Sequence, residues 1–436
     1  MQNVQALYKH KFLTIVSLLI LITVSLFSSC KKEDDIAPVV SIQTPIGGSY
    51  SVNDTISVQA KISDNETIVS VRIRLINMDN QQVVSPYTYS VNASSYQLNA
   101  NFVIDNLYLE SGEYYLVVEA DDGINTGKDF VSIQVGALTR VLEDVLVVEK
   151  DNLQTHIYSV LNGKLLLKTF NMEYQDFLYN PYSEQYIFLS KKGILTAYDK
   201  EELESVWSIS NLKDPLHEFY GQLLYKDKLV YVSSYTGAIQ VFDGNGNLVK
   251  QANTIDTEGQ VSQFFFGMDK IMAFKEPYVF GDDKIEELNE VTGASVQTYE
   301  IDFSPEQLLF VDDELCVVFG NRYNKAKACS LSTMYNVVHP FGDFGNREFG
   351  DAFKHTNYLY IISLDQEILE YDLSNGNERI LESTQTNTHF FYEDLYEKLY
   401  FVDDKKIFNL NFPAVGSQLF YTNNRTIDDL VFVYNK

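Results

Sequence analysis

The sequence predicts an all-β chain in two parts, a β-sandwich over residues 38–136 and a seven-bladed β-propeller over residues 140–436 that is closed by its own C-terminal strand. Three patterns predict it. Seven apolar strand cores recur at roughly forty-residue spacing, the period of propeller blades rather than of helical solenoids. Most cores have a second apolar strand just upstream, and the tail of the chain supplies the one that the first copy lacks.

The cores are Val145-Leu146-Val147-Val148, Tyr186-Ile187-Phe188-Leu189, Leu229-Val230-Tyr231-Val232, Ile271-Met272-Ala273-Phe274, Leu315-Cys316-Val317-Val318, Leu359-Tyr360-Ile361-Ile362 and Leu399-Tyr400-Phe401-Val402. Each is a β-branched or aromatic run of strand length, which reads as the second strand of a blade. Upstream lie Asp176-Phe177-Leu178-Tyr179, Gln222-Leu223-Leu224-Tyr225, Gln263-Phe264-Phe265-Phe266 and Gln307-Leu308-Leu309-Phe310, with weaker equivalents at Ala352-Phe353 and Phe390-Phe391-Tyr392. These are the innermost strands. The first copy has none, and Asp429-Leu430-Val431-Phe432-Val433-Tyr434 fits its place, removing an unpaired edge that would invite association. Third strands end in an apolar residue and then Asp or Asn, as in Tyr198-Asp199, Phe242-Asp243, Leu288-Asn289 and Tyr371-Asp372, the mark of an inward side chain followed by a side-chain-capped turn.

Gly237-Ala238-Ile239-Gln240-Val241-Phe242-Asp243, with the Gly-Asn turn after it, resembles the repeat of quinoprotein-like (PQQ-like) and YncE-like propellers, a resemblance spanning about residues 140 to 436. Those repeats usually close on a Trp after the turn. This chain has a single Trp, Trp207, so neither PQQ nor any other cofactor is expected.

Residues 1–29 read as a secretory signal: a basic start (Lys9, Lys11), an apolar stretch from Phe12 to Phe27, and Ser28-Ser29 before Cys30. Cys30 at the cleavage point resembles a lipobox of the looser Bacteroidota kind, with Phe27 in place of the preferred Leu, and that resemblance implies acylation of Cys30 and attachment to a lipid bilayer. The alternative is an uncleaved membrane-spanning helix. Residues 30–37 form an acidic linker, and Lys31-Lys32-Glu33-Asp34-Asp35 resembles the signal that exports Bacteroidota lipoproteins to the outer face of the outer membrane; otherwise it is a solvated tether.

The formal charge is −27, and loss of the signal would remove Lys9 and Lys11 but no acid. So acidic a chain argues against nucleic acid and against electrostatic docking on anionic headgroups. Membrane attachment then falls to the acyl chains.

Between Pro38 and Val135 short alternating strands (Val39 to Ile42, Ile56 to Ala60, Val69 to Leu75, Tyr114 to Ala120, Phe130 to Val135) are separated by turn signals at Pro45 to Gly48, Asp64-Asn65 and Asp121-Asp122-Gly123. That pattern suggests a β-sandwich. Pro-x-x-Gly, Asp64-Asn65, Gly112-Glu113-Tyr114-Tyr115 and Ala120-Asp121-Asp122-Gly123 resemble bacterial Ig-like or cadherin-like domains. Cadherin-like modules hold calcium at acidic turns, but Asp64, Glu66, Asp121 and Asp122 read here as turn chemistry, and no metal is expected. Asp54-Thr55-Ile56 resembles the Bacteroidota O-glycosylation sequon, at Thr55.

Cys316 and Cys329 fall on adjacent strands of one blade, where they could form a disulfide or remain two free buried thiols. The chain carries no P-loop, no Gly-x-Ser-x-Gly elbow and no His-Glu-x-x-His, so no catalytic residue is singled out. Between-blade loops are the best place for a binding rim. The segments 214–220, 321–325 and 339–349 supply His217, Tyr220, Arg322, Tyr323, His339, Phe341, Phe344 and Arg347, whose aromatic faces and donors would stack a sugar or clamp a peptide, whereas Phe341, Phe344 and Phe349 could equally plug the seam between blades. The function expected is a non-enzymatic outer-membrane surface lipoprotein whose propeller binds a glycan or an outer-membrane protein complex. Its rivals are a polysaccharide-active hydrolase or lyase and a purely structural ring.

Overall fold

The computed structural model describes residues 35–436 apart from 152–153, 162, 211–218, 255–258, 279–280 and 387; Cys30, the signal segment, most of the acidic linker and His217 lie outside these. The chain divides into two compact units between Thr139 and Arg140.

The first unit contains β1 (Val39–Thr44), β2 (Ser49–Ser51), β3 (Thr55–Ile76), β4 (Tyr87–Val103), β5 (Gly112–Asp121) and β6 (Thr126–Gly136), ordered β1-β3-β5-β6-β2 with β4 paired to β3. Alternation within each half of β3 sends Ile56, Val58 and Ile62, and then Val71, Ile73 and Leu75, into one apolar core with Leu98, Phe102, Leu116 and Val118. One expectation fails here. Asp64-Asn65 is not a turn: β4 pairs along both halves of β3, so the chain stays one strand and absorbs the break as a register shift between Ser63 and Ile68. Asp121 and Asp122 do cap their turn, accepting from the Gly123, Ile124 and Asn125 amides at 2.6–2.7 Å. Thr55 is exposed at the start of β3.

The second unit is seven four-stranded antiparallel sheets. In blade 1 the C-terminal strand Ile427–Tyr434 lies inside Leu142–Asp151, Gln154–Ser159 and Leu165–Phe170, with Leu430 opposite Val147 and Phe432 opposite Val145. The innermost strands of blades 2 to 7 are Tyr174–Asn180, Tyr220–Lys226, Gly259–Phe266, Ser304–Phe310, Phe349–Lys354 and His389–Glu393. Each blade shares a buried apolar cluster with the next. Leu146, Val148 and Val433 pack with Phe177 and Phe188 at the first seam, and Tyr400, Val402 and Ile407 pack with Val145, Val147 and Leu430 at the last. The seams therefore run from blade 1 round to blade 7 and back to blade 1.

The capped turns appear where the sequence marks them. Tyr198, Phe242, Leu288 and Tyr371 are buried, and the following Asp199, Asp243, Asn289 and Asp372 accept backbone N–H bonds from the turns. Trp207, on the outer strand of blade 2, donates Nε1–H to the Gly244 carbonyl of blade 3 at 3.0 Å. Gly246 closes that turn at φ +77°, and a Cβ there would stand 2.6 Å from the indole, so both the backbone and the neighbour require glycine.

Cys316 and Cys329 are both free thiols. Cys329 lies opposite Val318 rather than Cys316, which faces Leu331, so the two are diagonal neighbours and no disulfide joins them.

Candidate functional site

The rim expected at residues 339–349 does not form as a unit. Val337–Asp343 is the outer strand of blade 5, which places His339 on the outer wall rather than on a loop. Phe341 stacks on Tyr371, and Phe344, 2% exposed, meets the same ring edge-on, so both fill the seam between blades 5 and 6. Tyr220, 1% exposed, belongs to the core between blades 2 and 3. Tyr220 also lines a cavity at the axis of the ring, while Phe341 and Phe344 fall to the seam alternative and are packing residues. Their aromatic surface gains more from burial than a solvated loop could offer. Arg322, Tyr323 and Arg347 do come together on one face: Ala326 donates to the Arg347 carbonyl at 2.7 Å and Phe349 to Asn321 Oδ1 at 2.9 Å. Tyr323 is 88% exposed, Arg322 pairs with Asp302, and Arg347 is tied to both carboxylate oxygens of Glu378 at 2.8 Å. Arg347 edges a cleft with Asp365, Glu367 and Thr386.

A different site emerges at the axis. Every inner strand carries one polar residue directly before its apolar run: Asp429, Asp176, Gln222, Gln263, Gln307, Asp351 and His389 in blades 1 to 7. In most blades a register shift falls at or just before this residue, so the inner strand bulges there. Six of the seven line a cavity of about 520 Å³ with Gln175, Tyr235, Gln260, Glu276 and Asp428.

The belt latches blade to blade. Tyr174 of blade 2 donates its hydroxyl to Asp429 of blade 1. Asp176 accepts from the Leu223 amide of blade 3 at 2.7 Å, and Gln222 accepts from the Phe264 amide of blade 4 at 2.8 Å. Gln307 donates to Asp351 and to the Ala352 carbonyl, and Asp351 accepts from the Phe390 amide at 2.8 Å. Gly221 makes the close approach possible, since a Cβ there would stand 2.3 Å from the Ser262 carbonyl oxygen of the next blade.

Crowding by protein raises all three belt carboxyls. Burial lifts Asp429 to about 6 against bonds from Tyr174 and Leu430. Burial and the neighbouring Asp429 charge push Asp176 up to about 8, so Asp429 ionises first and opposes its neighbour. Asp351 is raised by burial, opposed by the Phe390 amide and His389. The Tyr174 hydroxyl is pushed well above its usual range, first by burial and then by Asp429. Chemically the mouth can hydrogen-bond a polar guest and repel an anion. No Lys or Arg lies among the described residues that line it.

Sequence reading missed this belt. The repeated Asp or Gln ahead of each inner strand was its available signal.

Fold and site together define a two-part protein: an Ig-like sandwich and a propeller with a polar axial mouth. Residues 38–118 match the family model of the bacterial Ig domain. Among solved structures, BamB from Moraxella catarrhalis is similar over 66% of this chain and 92% of its own, at 13% identity and a TM-score of 0.40. No curated protein matches the sequence.

Proposed function

We propose that this chain is a non-enzymatic binding lipoprotein: acylated Cys30 holds it at the outer membrane, facing outward, and the axial mouth receives a partner, either a glycan or a component of an outer-membrane protein complex. The observation that supports this most is the mouth itself, an open cavity of about 520 Å³ walled by hydrogen-bonding side chains rather than plugged by apolar ones. The experiment is affinity capture from native outer membranes with the full chain and with Ser262→Trp, which fills the mouth. Capture of the same partner by both proteins would reject the mouth as the site. For the anchor, Cys30→Ser should move the protein out of the membrane fraction; retention there would refute acylation as its means of attachment.

A polysaccharide hydrolase or lyase is the second reading, favoured by one observation: Asp176 and Asp429 repel each other, as paired acid and base carboxylates do. Against it, both carboxylates already accept backbone amides, Leu223 and Phe177 at Asp176 and Leu430 at Asp429. New reducing ends from oligosaccharides incubated with purified protein would replace the binding reading with the enzymatic one.

A further inference from the structure

The belt is interrupted at two places. Gln263 of blade 4 and His389 of blade 7 occupy the same position as Asp176 and Gln222 and line the same cavity, yet their side chains make no hydrogen bond to any described residue. The other five belt residues are engaged with the next blade. Belt latches thus run from blade 1 to blade 4 and from blade 5 to blade 7, and the belt makes none after Gln263 and His389. Two blades lie between those residues one way round and three the other, so they stand on different sides of the axis.

We propose that Gln263 and His389 grip one ligand across the axis, and that this ligand is a neutral, hydroxyl-rich chain, that is, an uncharged glycan. This rests on the mouth being the binding site. The chemistry of the free groups selects the class. An amide offers both donors and an acceptor, and an imidazole offers a ring N–H donor in either protonation state, matching hydroxyls that both donate and accept. The carboxylates of the wall are already occupied: Asp428 by Lys150 at 3.1 Å, Glu276 by the Gln260 amide at 2.8 Å, and the belt acids by backbone amides and Tyr174. Among the described residues no group of three His, Cys, Asp or Glu side chains is placed to hold a metal ion, while an anion meets five acids and no Lys or Arg among the described lining residues. Tyr235 supplies an apolar face on the wall, held by Tyr278 with ring centroids 4.5 Å apart. A pyranose ring has apolar C–H faces between its hydroxyls, and that is the surface which packs on such a ring.

The test is microcalorimetry of the full chain with neutral oligosaccharides (gluco-, manno-, galacto- and xylo-oligomers) and with oligogalacturonate as the charged counterpart. A neutral oligomer should bind and oligogalacturonate should not. Gln263→Ala and His389→Ala should each weaken binding about tenfold, the loss expected for one unmade hydrogen bond in a polar site. Gln263→Glu keeps the side chain's size and adds a charge, and it should weaken neutral binding less than Gln263→Ala does. Melting curves identify any variant that fails to fold; for such a variant Gln263→Glu and His389→Gln carry the comparison. The proposal is overturned if no neutral oligomer binds, if oligogalacturonate binds as well as the neutral chains, or if the variants bind unchanged. Loss of a membrane protein partner from Gln263→Ala and His389→Ala in the capture experiment, with no sugar bound, would leave the mouth as the site and remove the glycan.

Discussion

At the residue scale, the axial acids link structure to pH. Asp176 ordinarily ionises near 3.8 and in the folded chain is raised to about 8 by burial and by Asp429. Between those values the folded protein holds a proton that the unfolded chain has released. Its contribution to stability is therefore full below pH 4 and is lost as pH rises through 8. Asp176→Asn cannot ionise and keeps one acceptor for Leu223 or Phe177. Its melting temperature should fall less than that of the wild type between pH 5 and 8.5, as scanning calorimetry at both pH values would read; parallel losses would show that Asp176 carries no such linkage. The two thiols illustrate the same desolvation. Burial pushes Cys329 up to about 12 and Cys316 higher still, so neither is a competent thiolate at neutral pH. Iodoacetamide should leave both unmodified in the native protein and label both Cys316 and Cys329, located by peptide mapping, after denaturation without reductant. Labels that appear only after reduction would mean that a disulfide had formed.

At the element scale, what could be read in advance depended on how far apart the interacting residues are in the chain. Strand cores and capped turns were legible because their causes are local: Phe242 is buried and Asp243 caps a turn only a few residues away. The belt was not. Asp176 bonds Leu223, Gln222 bonds Phe264 and Asp351 bonds Phe390, separations of 47, 42 and 39 residues, so each polar residue looks like a strand start until the next blade is in place. His339 was misplaced for a related reason. Pro340 and Gly342 read as loop, but Pro340 pairs with Cys329 on an outer strand whose other edge needs no donor. Trp207 shows such a contact from the outer side, joining blade 2 to the Gly244 turn of blade 3. Trp207→Ala removes that hydrogen bond and the indole packed over Gly246, and should cost about 2 kcal/mol, below the ~3–5 kcal/mol of a fully buried large aromatic because Trp207 is only half-buried. Urea unfolding followed by circular dichroism would measure it, and a midpoint unchanged from the wild type would mean that the blades hold without this contact.

At the scale of the whole molecule, the ring depends on one join between residues far apart in sequence. Ile427–Tyr434 supplies the inner strand of blade 1, and Val433 and Leu430 enter the apolar clusters on both sides of that blade. Tyr434 extends the join, donating its hydroxyl to Glu393 at 2.7 Å while the Arg140 guanidinium lies 3.6 Å above its ring. Deleting residues 427–436 would strip Leu142–Asp151 of its partner, expose Leu146 and Val148, and remove Asp429 from the axial belt. An unpaired apolar edge of that length is a template for another chain. The truncated protein should therefore associate, eluting ahead of the monomer in size-exclusion chromatography. The decisive arm is rescue: a synthetic peptide of residues 425–436 should restore the monomer, because the vacant edge would still select the register in which Leu430 meets Val147. A truncated chain that stays monomeric with unaltered melting would mean that the other six blades hold the first in place without its inner strand.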